Sequence, residues 1–149
     1  MQNLDIIPLR GYGDLAFGAS IDEVKNLLGS PDIYEEMDNL DDTGNCTIFC
    51  QYSKLDFNVY FEGVTKSVVA CFDTENTEST LYGQPIFDLG PDEVVALMKS
   101  NGYVDMERED EEGELRISYD DLMIDFFFVE DELVSVSWGV LVDERGDII

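Results

Sequence analysis

One stretch of this chain occurs twice, seventy positions apart and without a gap. That repetition narrows the possible folds more than any other feature. Phe17, Asp22-Glu23-Val24 and Leu27 return as Phe87, Asp92-Glu93-Val94 and Leu97, with Leu28 answered loosely by Met98. Each copy reads as a short helix with marked ends. In the first, Ser20 and Glu23 form a capping box, Ile21, Val24, Leu27 and Leu28 make one apolar stripe, and Gly29 followed by Pro31 stops the turn. In the second, Gly90 caps, Pro91 occupies the first helical position and Gly102 ends the run. Helices are therefore predicted over 20–29 and 90–101.

After each helix the apolar period changes from that of a helix to that of a strand. Ile33 to Met37, Cys46 to Tyr52, Leu55 to Phe61 and Lys66 to Asp73 are predicted strands, with a polar acidic loop at Asp38–Asn45. The second set is Tyr103 to Glu109, Glu114 to Tyr119, Leu122 to Phe128 and Leu133 to Trp138, with acidic turns at 109–113, Asp120-Asp121 and Glu130 to Glu132. Short polar connections make both sets antiparallel meanders. Residues 74–80 read as the one linker, and 143–149 as a tail without pattern. The expected fold class is α+β, a tandem repeat of a helix packed on a four-stranded antiparallel sheet. The first unit covers 1–75 and the second 81–142, in one compact tandem domain. A half of that size is marginal alone, so the halves are expected to share an edge or a core.

Strand alternation assigns the faces. Phe57, Val59, Phe61, Ile117, Phe126, Phe128, Val134, Val136 and Trp138 are expected to point inward. The opposite face carries Thr47, Phe49, Gln51, Asn58, Tyr60, Met123 and Phe127, aromatic and uncharged polar side chains together. Two readings stay open for these aromatics: anchors of a docking surface, or packing where the halves meet.

The helix signature, Phe17-Gly18-x-Ser20-x-x-Glu23-Val24-x-x-Leu27-Leu28-Gly29-x-Pro31, resembles the opening of the BamE-like outer-membrane lipoproteins. It is also similar to the two repeats of the β-lactamase inhibitory proteins. The resemblance spans about residues 14–140, although the second copy lacks the Gly-x-Pro ending. It implies a helical layer on a four-stranded sheet, in tandem, and a sheet that binds another protein.

Charge and composition bound the function. The chain has 34 acidic residues, 8 basic ones and no histidine, a net charge of −26, yet 44% hydrophobic content indicates a folded core. Nucleic acid is repelled along the whole length. No apolar run reaches the ~18 residues of a membrane helix, and the start lacks a signal-peptide pattern, so no membrane contact and a cytoplasmic location are expected. Cys46, Cys50 and Cys71 are expected to be buried thiols, because Cys46 and Cys50 share a strand face about 13 Å apart. Without histidine no usual acid–base or nucleophile set assembles, and neither metal nor cofactor motifs occur. The expected function is a non-catalytic protein-binding or inhibitor domain whose acidic surface takes a basic partner. An immunity-type antitoxin covering a toxin domain is one form of it. The expected partner-binding residues are Phe49, Tyr60, Met123 and Phe127 as anchors and Asp110, Glu111, Glu112 and Glu114 as the acidic rim. An envelope assembly module and a carboxylate-based enzyme are the alternatives.

Overall fold

A computed structural model describes residues 3–38 and 46–149. In chain order, β1 (Asp5–Ile7), β2 (Gly11–Tyr12) and β3 (Leu15–Ala16) lead into α1 (Ile21–Leu28). There follow β4 (Ile33–Asp38), β5 (Cys46–Tyr52), β6 (Phe57–Gly63) and β7 (Val68–Thr74). The second half has β8 (Thr80–Leu81), β9 (Gln84–Pro85), α2 (Pro91–Ser100), β10 (Glu107–Glu111), β11 (Glu114–Tyr119), β12 (Ile124–Val129) and β13 (Glu132–Gly139). The acidic loop expected at 38–45 falls, from Asn39 on, outside the described residues.

The strands form two sheets, ordered β10-β11-β12-β13-β7-β6-β5-β4 and β3-β2-β1-β8-β9. This overturns the expected architecture. The chain is mostly β, 47% strand against 19% helical, in sheets of eight and five strands rather than in helix-on-four-strand repeats. The halves merge at β7 and β13, which pair antiparallel through Thr74–Val136, Asp73–Ser137, Phe72–Trp138 and Cys71–Gly139. Pairing there removes two strand edges that would otherwise recruit foreign strands.

The helices are too small to cover this sheet. At eight residues α1 spans only about 12 Å, and Val24 alone of its residues is buried, while Leu27 of the expected stripe is 45% exposed. Its ends are nonetheless well made: Ser20 Oγ accepts from the Glu23 N–H at 3.1 Å, and Gly29 closes the turn on the Lys25 carbonyl. In α2 the Glu93 carboxylate accepts from the Gly90 N–H at 3.2 Å, and Val94 and Met98 are buried. The five-stranded sheet supplies the missing cover. There β1 runs parallel to β8, and the buried Ile6, Tyr12, Leu15 and Leu81, with Ile86 of the 3-10 turn after β9, join the core of the large sheet.

Tyr12 is the centre of that core. Its ring meets Phe57 and Trp138 edge-on, both at 5.1 Å, and Phe72 at 5.7 Å. Its hydroxyl shares hydrogen bonds with Ser79 Oγ at 2.7 Å and Thr74 Oγ1 at 3.1 Å. Trp138 Nε1 donates to the Gly11 carbonyl at 3.0 Å. Thr74 and Ser79 are fully buried, so the two ends of the supposed linker 74–80 belong to the interior while Glu75, Thr77 and Glu78 between them are exposed. The two buried hydroxyls satisfy a buried phenol. The tail 143–149 is also held, since the N–H groups of Val64 and Thr65 both donate to the Glu144 carbonyl.

Three strand predictions shift for local reasons. One-turn 3-10 helices at Ser53–Leu55 and Asp120–Leu122 end on the left-handed residues Asp56 and Met123, delaying β6 to Phe57 and β12 to Ile124. The Tyr103 N–H is bound to the Met98 carbonyl at the end of α2, and β10 starts only at Glu107. A register shift between Phe127 and Phe128 pairs Ser135 with Phe127 and Leu133 with Phe128. Leu133 is thereby buried and Val134, expected inward, is 42% exposed. A matching shift lies between Tyr60 and Phe61.

Candidate protein-docking face

The two helices and the small sheet join one core with the inward residues of the large sheet, and among the described residues no comparable layer lies on its other face. The alternation of β6, buried at Phe57, Val59 and Phe61 and half-buried at Asn58 and Tyr60, shows this directly. Phe49 and Tyr60 are direct cross-strand partners with ring centroids 5.2 Å apart. Burial, then the charge of Asp73, hold the Tyr60 phenol above its ordinary pKa. It is a neutral hydrogen-bond donor under physiological conditions.

The middle of the face is polar. Asp73 is half-buried on the seam beside Asn58, and burial, reinforced by Glu75 and opposed by a hydrogen bond from Asn58, raises its carboxyl pKa. The Cys71 thiol, 3.8 Å from Ser137 Oγ, is pushed up to about 11, chiefly by burial. A thiol held protonated in this way is a poor nucleophile. Cys46 and Cys71 are only half-buried, so of the three expected buried thiols Cys50 alone is fully enclosed. Among the described residues no group of three or more His, Cys, Asp or Glu is placed to hold a metal ion.

At the far end of the face β10 and β11 form a hairpin through Glu112 (φ 50°) and Gly113 (φ 86°), with Glu111 opposite Glu114. Two successive left-handed residues match the right-handed twist of the strands, and the glycine makes the second one easy. Every residue of β10 is exposed. Its charges are partly compensated: Arg116 Nη2 lies 2.9 Å from Glu109 Oε1, and Arg108 Nε lies 3.6 Å from Asp110 Oδ2. Across strands β10 to β13 runs a groove of about 340 Å³ whose lining includes Glu109, Glu111, Glu114, Arg116, Phe127 and Val134.

The structure thus divides the predicted residues. Phe127 meets Glu111 and Glu114 in one groove, with Asp110 and Glu112 on the same hairpin. Phe49 and Tyr60 form a separate aromatic pair. Strands β13 and β7 lie between β12 and β6, and the register sets Tyr60 level with Gly139 but Phe127 level with Ser135, four residues along β13, so the two rings are about 19 Å apart on the sheet. Met123, 38% exposed, sits just before β12 and does not line the groove. Sequence reasoning missed Glu109, Arg116 and Val134. Arg116 was accessible to it, because its place between the inward Leu115 and Ile117 puts it on the open face. Val134 was not, because only the register shift exposes it.

No helix among the described residues is long and apolar enough to cross a membrane. No protein-family model, curated protein or solved structure matches this chain.

Proposed function

We propose that this protein is a non-catalytic binding domain for a basic protein partner, docked on the open sheet face beside the β10–β11 hairpin. The reading rests chiefly on the groove in which Phe127 stands among Glu109, Glu111 and Glu114, on a face that no layer of the described residues covers. An aromatic ring supplies the desolvated anchor, and a carboxylate rim speeds encounter with a positive surface and discriminates among partners. The net charge of −26 extends that attraction beyond the groove. A basic toxin domain neutralised by this chain is one pairing of that kind.

The test uses immobilised protein and host lysate, comparing wild type with Phe127→Ala and with Glu111→Gln/Glu114→Gln. A basic protein retained by wild type should be lost from Phe127→Ala, mainly through faster dissociation. The double glutamine variant and added salt should mainly slow association. Equal retention by all three forms, or no protein whose retention depends on Phe127, overturns the reading.

A further inference from the structure

The two edges of the eight-stranded sheet are finished differently. At one end every residue of β10, Glu107, Arg108, Glu109, Asp110 and Glu111, is charged and exposed, a device that turns foreign strands away. At the other end β4 runs for six residues and exposes Ile33, Tyr34 and Met37. The edges of the small sheet, β3 and β9, have two residues each, and β9 includes Pro85. Among the described residues β4 is therefore the edge long and apolar enough to template another strand. Along such an edge alternate residues turn their N–H and C=O groups away from the sheet.

Register fixes what surrounds this edge. On the open face Ile33 pairs with Gln51, Glu35 with Phe49 and Met37 with Thr47, and Phe49 pairs in turn with Tyr60. Ile33 and Met37 thus flank Glu35 beside the Phe49–Tyr60 ring pair. The other face of β4 is occupied by the chain itself. There the Tyr34 hydroxyl donates to Glu36 Oε1 at 3.2 Å, and Lys25 Nζ lies 5.2 Å from the Tyr34 ring centroid. The start of the strand is pinned as well. The Ser53 N–H donates to Asp32 Oδ2 at 2.7 Å, and the Asp32 N–H donates to the Gln51 carbonyl at 2.8 Å. A strand held in this way needs little ordering to receive another.

We propose that β4 accepts an extended basic segment of a partner protein as an added strand. Backbone hydrogen bonds to the free side of β4 would hold it. On the open face its apolar side chains would meet Ile33 and Met37, with a lysine or arginine between them opposite Glu35. A second copy of this chain is the poorer occupant, because each copy brings a net charge of −26 and the carboxylates of Glu35 and Glu36. No residue of this edge lines the Phe127 groove, so the two sites stand or fall separately.

The test is an NMR titration of the full chain with a synthetic peptide in which threonine alternates with valine, lysine and valine in turn. Saturable shifts should centre on the amides of β4 and β5, and hydrogen exchange should slow in β4. Replacing the peptide's lysine by glutamate should weaken binding about tenfold, and Glu35→Lys in the protein should remove that preference. Of two peptides N-methylated on alternate amides, one should keep binding and the other lose it, because only one set of amides faces β4. Absence of saturable shifts, shifts at the Phe127 groove instead, or equal binding of the two methylated peptides overturns the proposal. So does a lysine preference that survives Glu35→Lys, or a free chain that dimerises through β4.

Discussion

Tyr12 and Tyr82 occupy the same place in the two copies of the repeated sequence, yet one is the centre of the core and the other a wall of an open cleft. The difference comes from what reaches each ring. Tyr12 lies under the seam where β7 and β13 meet, so aromatic side chains from both halves, Phe57 and Phe72 on one side and Trp138 on the other, converge on it. The segment between the halves then folds over its hydroxyl through Thr74 and Ser79. Tyr82 is half-buried and lines an open cleft together with Tyr103 and the Ile7–Arg10 turn. Two copies joined edge to edge have one seam, and only one of two equivalent residues can fill the space beneath it.

The sharpest way to break this comparison is to truncate both rings. Tyr12→Ala should lose about 3–5 kcal/mol, the range for emptying a large aromatic site in a packed core. Tyr82→Ala should lose under about 1 kcal/mol. Urea denaturation of the two variants checks this, and equal losses would mean that the halves are packed alike.

The seam itself is tested by Gly139→Ala. A methyl group built there would lie 2.6 Å from the Ala70 carbonyl oxygen and 3.4 Å from the Cys71 Cα, both backbone atoms of β7. The strands must move apart to admit it, and the expected loss is about 1–3 kcal/mol. Hydrogen exchange should show the weakening at β7 and β13 before the outer strands β4 and β10. An unchanged midpoint would argue that the halves are not held together there.

The smallest effect distinguishes the two residues that face each other on the seam, Asp73 from the first half and Ser137 from the second. Burial raises the Asp73 pKa above its ordinary value. As pH rises from the ordinary carboxylate value to the raised one, the unfolded chain has lost a proton that the folded chain still holds. Stability therefore falls across that window and stays lower above it. Asp73→Asn should raise the melting temperature slightly at neutral pH and leave it unchanged below the ordinary carboxylate range. A lower melting temperature at neutral pH would show that the hydrogen bond from Asn58 outweighs the desolvation. The matching Ser137→Ala should show no such pH dependence.

Much of the local structure was legible in the sequence. Ser20 and Glu23, and Gly90 with Pro91 and Glu93, locate both helix starts through capping chemistry that acts over three residues. Strict alternation located Phe57, Val59 and Phe61, and likewise Ile117, Phe126 and Phe128, because a strand's side-chain period is a property of its own backbone. On the open face the same alternation placed Phe49, Tyr60 and Phe127, and the run of charges located the acidic hairpin. What alternation could not tell was that Phe127 and Tyr60 belong to different patches, since their separation depends on which strands come between them.

The sequence by itself therefore determined the helix ends, most of the strand faces and the acidic surface, all set by interactions between near neighbours. Tertiary structure decided that the two meanders join into one eight-stranded sheet and that the lead-ins pair as a second sheet. It also decided that Thr74 and Ser79 serve the interior, and that Leu133 rather than Val134 turns inward. Those outcomes rest on contacts between residues far apart in the chain: a short helix that leaves a sheet uncovered, an edge that lowers its energy by pairing, and a buried hydroxyl that must find partners wherever the fold supplies them.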